Sequence, residues 1–326
     1  MKQLVKTHEF YVGLILLAFS LVVGIINPSF FSIGNLFGLL KSNVVTGIFA
    51  LGVLLVLISG GIDISFPAVA VVSMYMTGQL FESIGYVGPV ILAFLIAIVI
   101  GMVLGTINAA IISTFRLPTL IVTLGTLSAY QGFVLTFVDT RIINRLTEPM
   151  VNYSRMEILR TTMDSGQTTG LHVSIFVYLA LALLTAAILR YTTIGRGVYA
   201  LGGDRQATER AGFSIRKIEF FIYIYVGFLA GVAGILHSAH VRNANPFDLV
   251  GSELNVIAAT VLGGATIGGG RGTVVGTLLG VMLITVMNNS LILLGIPSYW
   301  QRLTTGLILL VAVAVPQINH MRRVRR

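Results

Sequence analysis

Apolar runs of membrane-crossing length recur along the chain, separated by short stretches that hold most of its charge. A helix needs about 20 mainly apolar residues to cross a bilayer. Runs of this kind fall at 10–27, 35–58, 64–80, 88–112, 118–137, 171–189, 218–238, 255–267, 272–294 and 300–316. The pattern predicts an all-α, polytopic membrane protein with about ten transmembrane helices, some of them broken or short. The run 255–267 is too short to cross alone, and 35–58 carries Lys41 near its start. Residues 1–326 read as a single transmembrane domain.

Charge placement orients these runs. Segment 190–217 holds six basic residues, Arg190, Arg196, Arg205, Arg210, Arg216 and Lys217, against Asp204 and Glu209. The C-terminal MRRVRR adds four arginines, while in 138–170 four arginines are cancelled by Asp139, Glu148, Glu157 and Asp164. Basic loops stay on the cytoplasmic side, so both termini and 190–217 are expected in the cytoplasm and 138–170 outside. Lys2 and Lys6 before the run 10–26 resemble a signal sequence, but no small-residue cleavage site stands near Asn27-Pro28, so an uncleaved first span is expected.

Composition agrees with lipid as the solvent. The chain is 56% hydrophobic and only 10% charged, whereas a soluble domain carries roughly a quarter charged residues. The net charge of +9 sits at loops and chain ends and calls for no nucleic-acid partner. With no cysteine in the chain, disulfides and thiolate chemistry are excluded. The four lysines are Lys2, Lys6, Lys41 and Lys217; none follows a glycine, so the chain has no phosphate-binding loop of the G-x-x-x-x-G-K-[ST] kind. The Ser-Gly-Gly at 59–61 lies among apolar residues, and any nucleotide energy must come from a partner. No cofactor or metal is expected. His237 and His240 in HSAH are three apart, but with only Asp248 and Glu253 nearby they fall short of a supported four-ligand set. They read better as residues of the outer edge that meet a partner.

Glycines four apart, Gly101 with Gly105, Gly227 with Gly231, and Gly272 with Gly276 and Gly280, predict helix faces that let backbones approach closely. Two stretches share an apolar run, a glycine break and a second apolar run: GVLLVLISGGIDISFPAVAVV and AATVLGGATIGGGRGTVVGTLLG. Such breaks point to a transporter's central pathway, giving Gly60, Gly61, Asp63, Ser65, Gly269, Gly270 and Arg271 as candidates. A carboxylate at the bilayer centre costs about 2.5–3.5 kcal/mol on insertion scales. Asp63 stands where a new helix begins, so two readings remain: it caps that helix, or it accepts hydrogen bonds from a passing hydroxyl compound. Arg271 reads equally as an anchor, an ion-pair partner or a pathway residue.

Within 190–217, Gly202-Gly203 precede a short helix from Asp204 to Ala211 that Gly212 ends, with Ala207 and Ala211 forming a small-residue face. A compact helix of this sort can dock in a groove of a soluble partner.

This segment, VYALGGDRQATERAGFSIRKIEFFIYIYVGFLAGVAGIL, resembles the cytoplasmic loop and following helix of the sugar-type permeases of ATP-binding-cassette importers, distant relatives of branched-chain amino acid permeases. LISGGIDIS, LPTLIVTLGTLSAYQG and ELNVIAATVLGGATIGGGRGTVVGTLLG match in order, so the resemblance runs nearly end to end. It implies a non-enzymatic, multi-pass subunit of a bacterial inner membrane that carries a monosaccharide or small polyol. Implied partners are a second permease chain, identical or paralogous, two ATP-binding-cassette subunits or one fused tandem ATPase, and a periplasmic substrate-binding protein. The same resemblance makes Gly202, Gly203, Asp204, Ala207, Ala211 and Gly212 the ATPase-coupling element. Asp204, where many relatives have Asn, and Arg205 are departures that bear on which ATPase is accepted. The competing expectation is a stand-alone ion-coupled secondary transporter with Asp63 as its coupling carboxylate.

Overall fold

In the computed structural model, residues 8–162 and 168–297 are described, together with 299, 300, 303, 306 and 307. Helices dominate: α1 (His8–Ile26), α2 (Ile33–Ile58), α3 (Phe66–Ile84), α4 (Ile91–Phe115), α5 (Thr119–Phe133), α6 (Glu148–Ser154), α7 (Ser174–Tyr191), α8 (Thr193–Gly203), α9 (Arg205–Arg210), α10 (Ile215–Val241), α11 (Glu253–Leu262) and α12 (Val274–Leu293). A π-helical turn, Val134–Val138, extends α5. Seven of these segments (α1, α2, α4, α5 with its extension, α7, α10 and α12) are long and apolar enough to cross a membrane. The chain is a polytopic helical membrane protein. Most of the expected run 300–316 lies outside the described residues, as do the C-terminal arginines and Lys2 and Lys6.

Two segments between the apolar runs carry secondary structure of their own. The segment 138–170 is not plain loop: it holds α6 and, with the residues beside it, an antiparallel hairpin of β1 (Glu157–Thr162) and β2 (Thr168–His172). Its strands, EILRTT and TTGLH, hold too few apolar residues to stand out as an apolar run. Likewise 193–203 is helix α8, capped by Thr192, whose hydroxyl accepts from the Gly195 amide. Its buried face, Gly195, Val198 and Leu201, has helical spacing but is too short and too glycine-rich to read as a span.

Hydrogen bonds and contacts fix which helix ends lie together. At one end His8 meets the Leu262 carbonyl, Thr273 donates to Glu9, and the backbone at Gly202 meets Ile58 and Gly270. At the other, Tyr75 donates to the Arg141 carbonyl, Ile143 pairs with Ala244, and Asn27 donates to Leu293. The first of the described residues thus lies at the same end as α8 and α9. α2 spans 26 residues, about 39 Å at 1.5 Å per residue, which exceeds a hydrocarbon core of about 30 Å. α2 is therefore long enough to make a full crossing before the break after Ile58.

Buried α2 and α10 form the centre, while α1, α4 and α5 keep broad apolar faces exposed, as lipid-facing helices do. The α4–α10 crossing is closest: Gly101 lies against the Gly227 carbonyl, Gly105 against Tyr223, and Gly231 against Ala97, all backbone to backbone. Gly276 and Gly280 set α12 against Gly263 and Ala259 in the same way. Small residues permit this approach where lipid supplies no hydrophobic drive. Gly272 departs from the expected stripe. It precedes α12, with φ 152°, and faces Leu54 and Ile58.

Candidate functional site

The two glycine breaks and the α8–α9 segment converge at one end of the bundle. Gly60 ends α2 with φ 83°. Its N–H donates to Leu57 at 2.9 Å, and the Gly61 N–H donates to Val56 at 3.0 Å. Gly264, φ 100°, ends α11 with the same pair of bonds: its N–H to Val261 at 2.8 Å and that of Ala265 to Thr260 at 3.2 Å. Gly212, φ 87°, ends α9 likewise, with Gly212 bonded to Glu209 and Phe213 to Thr208. A left-handed residue at this position satisfies the last helical carbonyls, and glycine adopts it without a Cβ penalty. The two similar sequence stretches thus build the same helix stop.

Beyond Gly61 the chain runs without helix to Ser65, and α5 satisfies its backbone. Thr119 accepts from the Ile62 N–H at 2.9 Å. Thr123 accepts from the Ile64 N–H at 3.3 Å. Asp63 is buried and holds the turn: its Oδ1 accepts from both the N–H and the hydroxyl of Ser65, each at 2.7 Å. The cap position itself belongs to Ser65, two residues later than the capping reading placed it, and the Ser65 hydroxyl turns to Asp63 rather than to α3. Asn108 donates to Ser65 Oγ at 2.8 Å, and Tyr130 donates to Asn108 at 3.0 Å. A buried polar chain thus links Asp63, α3, α4 and α5. Asp63 Oδ2 has no hydrogen-bond partner among the described residues.

The second break curls tightly. Thr266 donates from its hydroxyl to the Gly269 carbonyl and from its N–H to the Arg271 carbonyl, while Gly269, Gly270 and Gly272 all have positive φ. The Gly270 N–H donates to the Ile58 carbonyl at 2.8 Å, so the two breaks touch. The Arg271 side chain is exposed and forms no ion pair among the described residues.

α9 stands at the edge of this junction. Asp204 caps it, accepting from the Ala207 N–H at 2.9 Å; Asn in that place would offer the same acceptor. Ala207 and Ala211 are exposed, and a methyl on Gly203 or Gly212 would meet nothing within 4 Å. Arg205 ties α9 to α10 through Glu219 at 2.7 Å; the Glu219 side chain is 8% exposed and that of Arg205 51%. A cleft of about 520 Å³ opens beside this pair, lined by Gly60, Arg116, Thr119 and Ile267 among others.

His237 and His240 part company. His237 pairs with Asp248 at 3.2 Å, while His240 and His172 share the Ser174 hydroxyl at 2.9 and 2.8 Å. The described residues contain no group of three or more His, Asp or Glu side chains able to hold a metal. Sequence reasoning missed the Arg205–Glu219 pair, the Thr119 and Thr123 acceptors, and the Asn108–Tyr130 link. The threonines and Tyr130 lie within LPTLIVTLGTLSAYQG, a block matched for resemblance but given no role.

Residues 35–313 match the family described as "Branched-chain amino acid transport system / permease component". The ribose import permease protein RbsC of Haemophilus influenzae is 34% identical over 95% of this chain and 92% of its own. Those of Escherichia coli K12 and Bacillus subtilis are 32% and 33% identical, covering 92% and 93% of this chain and 91% and 90% of theirs. No solved structure matches the chain. With a family match from the second helix almost to the C-terminus and relatives alike over nearly their full length, the chain belongs to this family of transport permeases.

Proposed function

We propose that this chain is the membrane-spanning permease subunit of an ATP-driven importer of a monosaccharide or similar small polyol, seated in a bacterial inner membrane. The observation that carries the reading is end-to-end similarity to ribose import permeases, joined to a basic segment that presents α9 at one end of the bundle. In this reading the chain crosses about ten times as one transmembrane domain. Both termini and 190–217 face the cytoplasm, and 138–170 faces the periplasm. The basic balance of 190–217 supports that orientation.

ATP is hydrolysed by separate subunits, two ATP-binding-cassette chains or one fused tandem protein, which grip Gly202, Gly203, Asp204, Ala207, Ala211 and Gly212. A second permease chain completes the pathway, and a periplasmic binding protein delivers the sugar to the face bearing the hairpin and His237. Gly60, Gly61, Asp63, Ser65, Gly269, Gly270 and Arg271 form the inner mouth of that pathway, where glycine stops let two breaks share one junction. A ligand shifts a two-state gate only through differential affinity for its states. ATP bound by the partner supplies that difference, and the permease itself needs no tight sugar site.

Reconstitution tests this. Proteoliposomes holding the permease, its ATPase and its binding protein should accumulate radiolabelled ribose or a related sugar only with ATP on the side of α9. Accumulation by the permease alone under a proton or sodium gradient would instead establish a secondary transporter.

A further inference from the structure

We propose that Gly202 is a positioning residue through which displacement of α8 and α9 reaches both glycine breaks at once. The inference rests on the coupling role given above to Gly202–Gly212, and it names the route by which that coupling enters the bundle.

Gly202 lies in the last turn of α8, where three backbone segments meet with no side chain between them. A methyl added to Gly202 would run into the Ile58 carbonyl oxygen and the Gly270 nitrogen, and one added to Gly269 would meet the Gly202 backbone. One turn earlier, the Tyr199 hydroxyl donates to the Gly272 carbonyl at 2.8 Å, fastening α8 to the same loop. The Gly270–Ile58 hydrogen bond then joins the loop to the end of α2. Thr119 and Thr123 carry the connection from the corner after α2 into α5.

Close-packed interiors transmit displacement with little compression, and direct backbone contact leaves no rotamer to absorb it. α8 and α9 also lead into α10 through the turn 211–214, through the packing of Gly197 on Ile218 and Phe213, and through the long Arg205 side chain, half exposed to water. A guanidinium there can re-orient without moving α10. The direct backbone path to the two breaks therefore passes through Gly202, and α9 with α8 acts as a lever on residues 59–65 and 263–273 together.

The test uses the full permease–ATPase complex and needs no knowledge of the sugar. The chain has no cysteine, so Gly268→Cys gives one labelling site. Gly268 is exposed, and an added Cβ there meets nothing within 4 Å. An environment-sensitive fluorophore at this position should change emission when ATP is added to the complex. Gly202→Ala should shrink that change severalfold in samples matched for bound ATPase. Tyr199→Phe, which removes one hydrogen bond and keeps the ring, should shrink it partly while ATP hydrolysis stays as it was.

A label that never responds to ATP would overturn the proposal, as would responses of equal size in all three proteins. If Gly202→Ala does not assemble, Tyr199→Phe alone decides: an undiminished response refutes the route. Ala207→Trp probes the underlying reading separately, because it blocks the exposed face of α9. Normal ATPase binding by Ala207→Trp would remove the coupling role of α9, whatever the label at residue 268 reports.

Discussion

Removal of Arg205 should release α9 from the bundle, and the asymmetry of its ion pair sets the size of the effect. Breaking a dry ion pair costs about 3–5 kcal/mol because a charge is left buried alone, whereas an exposed pair is worth only about 0–1 kcal/mol. Here one partner is nearly dry and the other half wet, with side-chain exposures of 8% for Glu219 and 51% for Arg205. Arg205→Ala leaves the Glu219 carboxylate without its guanidinium in a partly hydrated corner, a loss of about 1–2 kcal/mol. That corresponds to roughly a 5- to 30-fold rise in the open population of α9. Glu219→Gln leaves an arginine that water can solvate and an amide oxygen that still accepts, so its cost is below about 1 kcal/mol.

The double variant is the decisive one. With a neutral Gln at 219 nothing buried still needs the arginine, so Arg205→Ala with Glu219→Gln should be less open than Arg205→Ala alone. Tryptic cleavage after Arg210 under native conditions reads the opening directly, since nicking tracks the open population when reclosing is fast. Equal cleavage rates in the two single variants, or a double variant at the product of both effects, would refute the idea that the buried carboxylate drives the penalty.

Other substitutions test other joints. Asp63→Asn keeps an acceptor for the Ser65 N–H and should cost under about 1 kcal/mol in detergent thermal unfolding, while Asp63→Ala strands two donors and should cost about 1–3 kcal/mol; equal losses would mean the charge itself matters. Gly227→Leu drives a side chain into the Gly101 backbone and should abolish monodisperse protein, whereas Gly125→Leu on the open face of α5 should be neutral; size-exclusion profiles separate them. At the hairpin, burial foremost, and then the Lys41 charge, holds the pKa of His172 below its ordinary 6.5. A depressed folded value favours the neutral ring, so this contribution is full above about pH 6.5 and is lost as pH falls below it. Proteolysis of 155–172 should therefore rise in acid, and His172→Asn should flatten that dependence.

Span positions were legible because lipid imposes a length and a polarity on every crossing helix. The expected run 118–137 and the helix with its π turn, 119–138, agree to within a residue. Gly101 and Gly227 were legible for a related reason: four-residue spacing in a membrane helix has few uses besides close packing. The hairpin and α8 were not, because their periods are short and their polarity is that of a loop.

The junction lay deeper than any of these. Asp63 drew attention as a lone carboxylate, yet the corner it holds is completed by neutral partners on α4 and α5 that composition does not distinguish from ordinary helix residues. Gly60, Gly202 and Gly270 were each visible as glycines, and the first two were assigned to different tasks. A glycine that serves contact between backbones leaves no complementary side chain to recognise, so sequence marks the place but not the partner. Only when α2, α8 and the loop before α12 are set side by side does one requirement explain all three. Any residue with a Cβ at 202 would hold α8 away from the two stops that its backbone touches.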